Sequence, residues 1–110
     1  MMIKIIWYPE YRQLTIEGHA EAAPKGEDIV CASVSAIWHT LAANAMCWKD
    51  NGYLMDMRMQ EIEGYCKLSW VTRSRYRNIL STIAAAIVLG LEALANSCPE
   101  FIEFHRLGQG

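Results

Sequence analysis

The chain has 110 residues, a formal net charge of −2 and 53% hydrophobic residues. This length suits one domain with one core and is too short for two independent cores, so we expect residues 1–110 to form a single domain. The apolar content excludes intrinsic disorder. The mild acidity gives no positive field that would attract phosphates, and we therefore expect no direct nucleic-acid partner.

The N-terminal part of the chain predicts a β-hairpin. Apolar residues alternate with other residues over 2–8 and again over 13–17, which is typical of two short strands. The hairpin brings the chain to His19 at a strand end. The residues that follow include Pro24 and Gly26 and show no periodicity, so we expect an exposed, mobile loop there.

A long helix is predicted from Asp28 to about Asn51. Asp28 is a candidate N-cap, because its carboxylate can accept from unpaired N–H groups of the first turn. Cys31 would then lie in that first turn. Apolar residues recur at spacings of three and four and form the expected buried stripe: Val30, Val34, Ile37, Trp38, Leu41, Ala45 and Trp48.

The second half of the chain predicts two more strands and a second helix. The strands are expected over 53–57 and 61–71, and the helix over 75–96, where Gly90 permits close approach of a neighbouring element. The apolar run 79–91 is too short to span a bilayer, which needs about 20 residues, so no membrane partner is expected. The predicted core stripe of this helix is Ile79, Ile83, Ile87, Leu91 and Leu94.

The order of elements is ββαββα, with a final short strand over 101–104 as an option. This order predicts an α+β fold of two layers, with a mixed sheet of about four or five strands and two long helices on one face. The strand order does not follow from the pattern.

His19 and Cys31 form a candidate catalytic pair. The N terminus of a helix stabilises a thiolate, and a histidine within reach can take the thiol proton as general base. They are twelve positions apart, and a connecting chain of that length closes readily. Two plainer interpretations stay open: Cys31 as a buried small hydrophobe, and Asp28 as a cap rather than an orienting group. His39 lies about 12 Å along the helix from Cys31, at about 1.5 Å per residue, so it is a poor partner.

The cysteine pattern indicates reduced thiols. The four cysteines include no C-x-x-C pair, and the N-terminal residues contain no signal-like apolar segment, so we expect a cytoplasmic protein. No His and Cys residues have metal-ligand spacing, so we expect no metal and no cofactor. We expect Cys47, Cys66 and Cys98 to be structural.

Several stretches of the sequence resemble the ribosomal-processing cysteine proteases of bacteria, the Prp family. They are "GHA" at 18–20, "GEDIVCASVSAI" at 26–37 and "GLEALANSCPEFIEF" at 90–104. The resemblance covers nearly the whole chain. It implies that His19 and Cys31 are the catalytic dyad, and that the loop containing Gly18, Ala20, Pro24 and Gly26 is mobile and orders around substrate. Ser35 also matches the family pattern, with either a packing or a catalytic role.

The resemblance also implies a substrate and an assembly. The substrate would be a large-subunit ribosomal protein, which loses a short N-terminal extension by cleavage after an aromatic residue. We expect a homodimer, because a small domain with four Trp and five Tyr exposes apolar surface that a second copy can cover. The resemblance implies the same, since members of the family are homodimers. The alternative function is a non-catalytic binding or assembly module that grips a ribosomal protein tail without cutting it.

Overall fold

The computed structural model describes residues 2–18 and 27–108, and the side chains from residue 29 onward in the second range. It contains five strands and two long helices, which confirms the predicted α+β class. The element bounds are β1 (Ile3–Tyr8), β2 (Gln13–Glu17), α1 (Glu27–Asp50), β3 (Leu54–Ile62), β4 (Tyr65–Thr72), a single 3-10 turn (Ser74–Tyr76), α2 (Arg77–Ser97) and β5 (Ile102–Arg106).

The strands form one mixed sheet in the order β3-β4-β2-β1-β5. The β1–β2, β2–β4 and β3–β4 pairs are antiparallel, and the β1–β5 pair is parallel. The optional C-terminal strand is therefore present and forms one edge of the sheet, while β3 forms the other. Ile3, Ile5 and Trp7 of β1 point to the buried face, as their alternation predicts.

Both helices pack on the same face of the sheet. Helix α1 contacts β3 and α2, and α2 contacts β5, so the two helices cover the sheet side by side. The predicted stripe of α1 is buried, with Ile37 half-buried beside it. A second layer formed in this way places the core between the helices and the strands.

The core face of α2 differs from the predicted one. The buried residues are Leu80, Ala84, Val88, Leu91 and Ala95, while Ile79 is 61% exposed. Helix α2 is apolar around most of its circumference, so periodicity alone does not select the side that faces the core. The small side chains face inward because α2 packs closely against both the sheet and α1.

The turn between β3 and β4 also lies elsewhere than predicted. Strand β3 continues to Ile62, and the chain reverses at Glu63 and Gly64, where Gly64 has a φ of 77°. Glycine adopts this left-handed conformation without steric cost. The prediction ended the strand at 57 because an exposed edge strand shows little alternation of apolar and polar residues.

Length and composition alone would allow either long helix to cross a membrane, over Ile29–Asp50 and Ser74–Ser97. The expectation that the apolar run of the second helix is too short therefore fails for the helix as a whole. Core helices of soluble proteins pass the same test. Here one face of each helix is buried against the sheet.

Candidate active site

A cleft of about 460 Å³ opens between α1 and the β3–β4 turn. One wall is the face of α1 that begins at Cys31, the opposite wall is the end of β3 with its turn, and Ile16 and Cys66 of the central strands line the space between them. The lining residues that carry polar or reactive groups are Cys31, Ser35, Trp38, His39, Glu61, Glu63 and Cys66.

Cys31 is a half-buried free thiol in the α1 wall of this cleft. Helix α1 begins at Glu27, so Cys31 is its fifth residue and lies one position beyond the first turn, where the sequence had placed it. The four N–H groups without intrahelical partners belong to the residues that precede it. Cys31 packs against the core and also borders open space, so its interpretation as a small structural hydrophobe stays open beside the catalytic one.

His19 lies outside the described residues, but its chain neighbour Gly18 is described. The Gly18 N–H donates a hydrogen bond to the carbonyl of Gly64 at 3.0 Å, and Gly64 lines the same cleft as Cys31. The last described residue before His19 therefore lies at the rim of the cleft. The roles of His19 and Cys31 as a dyad remain a prediction.

The other predicted site residues divide in the same way. Ala20, Pro24 and Gly26 lie outside the described residues, as does the side chain of Asp28. Asp28 is the second residue of α1. The helix therefore starts at Glu27, one residue before the position predicted for the cap. Its capping or orienting role stays a prediction.

Ser35 is half-buried and lines the cleft one turn after Cys31. Residues four apart lie on one helix face, so its hydroxyl shares the wall with the thiol. This position is compatible with a polar contact to a bound peptide as well as with packing.

The sequence did not reveal the polar cluster that joins the two walls of the cleft. The Trp38 indole N–H donates a hydrogen bond to Glu61 Oε1 at 2.6 Å, and His39 Nε2 lies 3.7 Å from the same oxygen. His39 had been considered only as a partner of Cys31. Glu61 belongs to a part of β3 that the sequence had assigned only to the start of the next strand. The weak signal available was the buried Trp38, whose N–H needs an acceptor.

The four cysteines, all described, are free thiols in different environments. Cys66 is buried, and its burial together with the negative charge of Glu61 raises the pKa of its thiol to about 11. This environment fits the structural role expected for Cys66. Cys47 is exposed on the outer side of α1. Cys98 is half-buried at the C-terminal end of α2.

Among the side chains that the structure describes, in 2–18 and 29–108, no group of three or more His, Cys, Asp or Glu residues is arranged to hold a metal ion. The chemistry available in the described part of the cleft is therefore that of a thiol, a hydroxyl, an imidazole and carboxylates. Such groups serve nucleophilic and acid–base catalysis.

The fold and cleft define a small α+β domain with a half-buried thiol beside an open cleft of about 460 Å³, which is an arrangement expected of a thiol hydrolase. Residues 2–103 match the family model described as cysteine protease Prp. The chain belongs to the Prp family and is a cysteine protease, which confirms the resemblance that the sequence indicated.

Individual relatives agree with this assignment. The chain is 29% identical over 100 residues to the ribosomal processing cysteine protease Prp of Mycoplasma pneumoniae, a match covering 86% of each chain. It is similar to a crystal structure of SMU.848 from Streptococcus mutans, with a TM-score of 0.75, 26% identity and coverage of 99% of this chain and 100% of the other.

A third relative shares the fold. It is a crystal structure of an essential ribosomal processing protease Prp from S. aureus in complex with a substrate peptide. The TM-score is 0.68 at 18% identity, and the match covers 96% of this chain and 98% of the other. At this identity the likeness is one of architecture.

Proposed function

We propose that the chain is an endopeptidase that removes a short N-terminal extension from a large-subunit ribosomal protein during ribosome maturation. The observation that carries the proposal is the position of Cys31, a half-buried free thiol that borders the cleft near the start of α1 in a member of the Prp family. The ribosomal processing activity named for the M. pneumoniae relative supports the substrate class.

The proposed chemistry uses two side chains. His19 takes the proton of the Cys31 thiol, and Sγ attacks the scissile carbonyl to form a tetrahedral intermediate. Backbone N–H groups at the start of α1 stabilise the oxyanion. The protonated His19 then gives its proton to the leaving amine, and water hydrolyses the thioester to release the second product and the free thiol.

Gly18 supports this assignment of His19. Its hydrogen bond to Gly64 anchors the chain at the rim of the cleft, one residue before the proposed base. The chain thus enters the segment that carries His19 from the same cleft that Cys31 lines.

A homodimer and a cytoplasmic location form part of the proposal. Large apolar side chains are exposed on the helices: Ile29 (73%), Ile79 (61%), Leu89 (56%) and Met46 (50%). A second copy of the chain would cover such side chains. Sedimentation equilibrium at micromolar concentration tests the proposed homodimer, and a monomer would contradict it. Four free thiols and a ribosomal substrate favour the cytoplasm.

The test is cleavage of a peptide that spans the N-terminal extension of the ribosomal protein from the same organism. Wild type, Cys31→Ser and His19→Ala are compared under reducing conditions. Cys47→Ser is the matched control, because Cys47 lies on the same helix but is exposed and does not line the cleft.

We expect wild type and Cys47→Ser to cut the peptide at one bond. Cys31→Ser and His19→Ala should bind it but lose at least about a thousandfold in kcat, because the nucleophile and its base act as a unit. If wild type binds the peptide without cutting it, the endopeptidase proposal fails and the alternative function, a non-catalytic binding module, takes its place. Cleavage by Cys31→Ser at the wild-type rate would remove Cys31 from the mechanism.

A further inference from the structure

One polar link crosses the cleft. The Trp38 indole N–H of α1 donates to Glu61 Oε1 of β3 at 2.6 Å. Among the described side chains, those of 2–18 and 29–108, it is the only hydrogen bond that joins α1 to a strand. A bond this short to an ionised carboxylate is charge-assisted and stronger than one between neutral groups.

The two partners belong to opposite walls. Trp38 lies seven residues, or about two helical turns, beyond Cys31 and therefore on the same side of α1. Its side chain is 2% exposed, so its orientation is fixed by packing. Glu61 is the penultimate residue of β3 and directly precedes the residues of the β3–β4 turn that complete the other wall.

The end of β3 has few other attachments. Strand β3 is at the edge of the sheet and is hydrogen-bonded only to β4. All its residues beyond Met57 are exposed, so apolar packing does not hold this end against α1. The polar contacts of Glu61 with α1, the hydrogen bond from Trp38 and the longer contact with His39, are thus what set how far the turn stands from the helix.

The charge of Glu61 is felt inside the cleft. Glu61 is directly opposite Cys66 in the β3–β4 register, and opposite residues in antiparallel strands share one face of the sheet. Its negative charge contributes, after burial, to the raised pKa of the Cys66 thiol. His39 Nε2, 3.7 Å from the same oxygen, lies on the more exposed side. The carboxylate therefore contacts the helix through one oxygen while half of its side chain stays exposed to solvent.

We propose that Glu61 is a positioning residue for the peptide substrate: by accepting from Trp38 it holds the β3–β4 turn at a fixed distance from the Cys31 face of α1. The inference rests on the proposed peptidase function. Glu61 does not touch the reacting atoms in this proposal. It acts through Trp38 and the turn, so its loss affects peptide binding more than the chemical step.

Three variants separate the hydrogen bond from other effects. Glu61→Leu removes the acceptor, and Glu61→Gln keeps an acceptor oxygen without the charge. Glu63→Leu is the matched control, because Glu63 lines the same cleft two residues further on and does not bond to Trp38. Peptide cleavage is measured as KM and kcat separately, at a temperature where each variant is folded.

We expect Glu61→Leu to raise KM about tenfold with kcat within about threefold of wild type, which corresponds to about 1.4 kcal/mol of lost binding. Glu61→Gln should stay within about threefold in KM, and Glu63→Leu, which changes a cleft residue without a bond to Trp38, should raise KM less than Glu61→Leu does. Trp38→Phe should raise KM as Glu61→Leu does, and the double variant should show no further increase, because both remove one bond.

Equal KM increases in Glu61→Leu and Glu63→Leu would overturn the proposal, since the effect would then belong to wall polarity. So would a Glu61→Leu variant that loses thermal stability but keeps the wild-type KM, which would make the bond merely structural. A Glu61→Gln variant as impaired as Glu61→Leu would assign the effect to charge and overturn it as well.

Binding to Cys31→Ser distinguishes failure of this inference from failure of the proposed function. If wild type cuts nothing, the peptidase proposal fails, while a Kd for the peptide that weakens about tenfold on adding Glu61→Leu still supports the positioning role. If Cys31→Ser binds no peptide, the positioning role fails too. In the same samples the Trp38 indole N–H resonance, assigned by its loss in Trp38→Phe, should shift when peptide is added.

Discussion

The Cδ1 methyl group of Ile37 lies directly over Gly90, where α1 and α2 pack side by side. A Cβ built on Gly90 would stand 3.3 Å from that methyl carbon, closer than most Cβ contacts. The glycine in α2 therefore gives the helices their separation. It does so beside the helix that carries Cys31, so the contact helps to position the nucleophile's helix on the sheet.

In the wild-type background, Gly90→Ala should change the free energy of unfolding through two effects of opposite sign. Alanine favours the helix by about 0.5–1 kcal/mol, and the contact with Ile37 offsets most of that gain. We expect a free energy of unfolding within about 0.5 kcal/mol of wild type. In Ile37→Val, which lacks Cδ1, the same substitution should stabilise by about 0.5–1 kcal/mol. Urea unfolding of the four proteins measures the coupling, and equal effects in both backgrounds would contradict the contact.

Gly18→Ala should be among the most damaging single-atom additions in the chain. Gly18 has a φ of 94°, and an added Cβ would overlap the backbone oxygen of Met2. We expect a loss of at least about 2 kcal/mol in the free energy of unfolding, and at least about a tenfold loss in kcat/KM for folded protein, because the next residue is His19.

Gly52→Ala is the control for Gly18→Ala. Gly52 has a similar φ of 78°, but an added Cβ would meet nothing within 4 Å. It should cost only the backbone strain, about 1 kcal/mol, and leave kcat/KM unchanged. Equal losses of stability and activity in the two variants would show that the contact with Met2 has no role.

Two buried tryptophans should respond differently to replacement by Phe. The Trp38 indole N–H has its acceptor in Glu61, whereas within the described residues the buried Trp70 indole N–H has none. Trp70→Phe loses ring volume but also removes an unsatisfied donor. Trp38→Phe loses ring volume and a charge-assisted bond. We expect Trp38→Phe to cost about 1.5–3 kcal/mol more by urea unfolding, and the reverse order would contradict the assigned hydrogen bond.

Patterns within a segment predicted most of the fold. Helix α1 has a regular stripe of large apolar residues, and its buried residues follow that stripe. The predicted core face of α2 was wrong, because Ile79 and Leu80 are equally apolar. Only packing against α1 and the sheet decides which of the two is buried. Local periodicity carries no information on such a choice.

The candidate site was predictable only in part. His19 and Cys31 are close in sequence and belong to short family motifs, so the sequence alone could identify them as candidate catalytic residues. Trp38 and Glu61 are 23 residues apart and meet only because β3 extends to Ile62. A prediction that ends the strand at 57 leaves Glu61 without a position facing α1. Contacts between distant elements depend on sheet register, which the sequence pattern does not specify.

The environments of the thiols predict their reactivity. Cys31 borders the cleft near the start of α1 and is expected to react with a base at hand, Cys47 is exposed on the same helix, and Cys66 is buried. At pH 8, with a limiting alkylating reagent, we expect Cys31 to react fastest and Cys66 slowest. Burial and the charge of Glu61 keep the Cys66 thiol protonated, since its pKa is about 11. Mass spectrometry of peptides gives the order, and His19→Ala should slow Cys31 alone.

The same pKa predicts how stability depends on alkaline pH. The folded state keeps the Cys66 proton until about pH 11, whereas the unfolded chain loses it near the ordinary value of 9.0. The unfolded state therefore binds fewer protons between these values, and stability falls as pH rises through that window. Other groups titrate there too, so the measurement is the difference between wild type and Cys66→Ala in urea unfolding from pH 8 to 11. We expect wild type to lose more stability than Cys66→Ala over this pH range. Only in wild type does unfolding release the Cys66 proton between about pH 9.0 and 11. Parallel pH profiles would mean that Cys66 is not held in its protonated form by the fold.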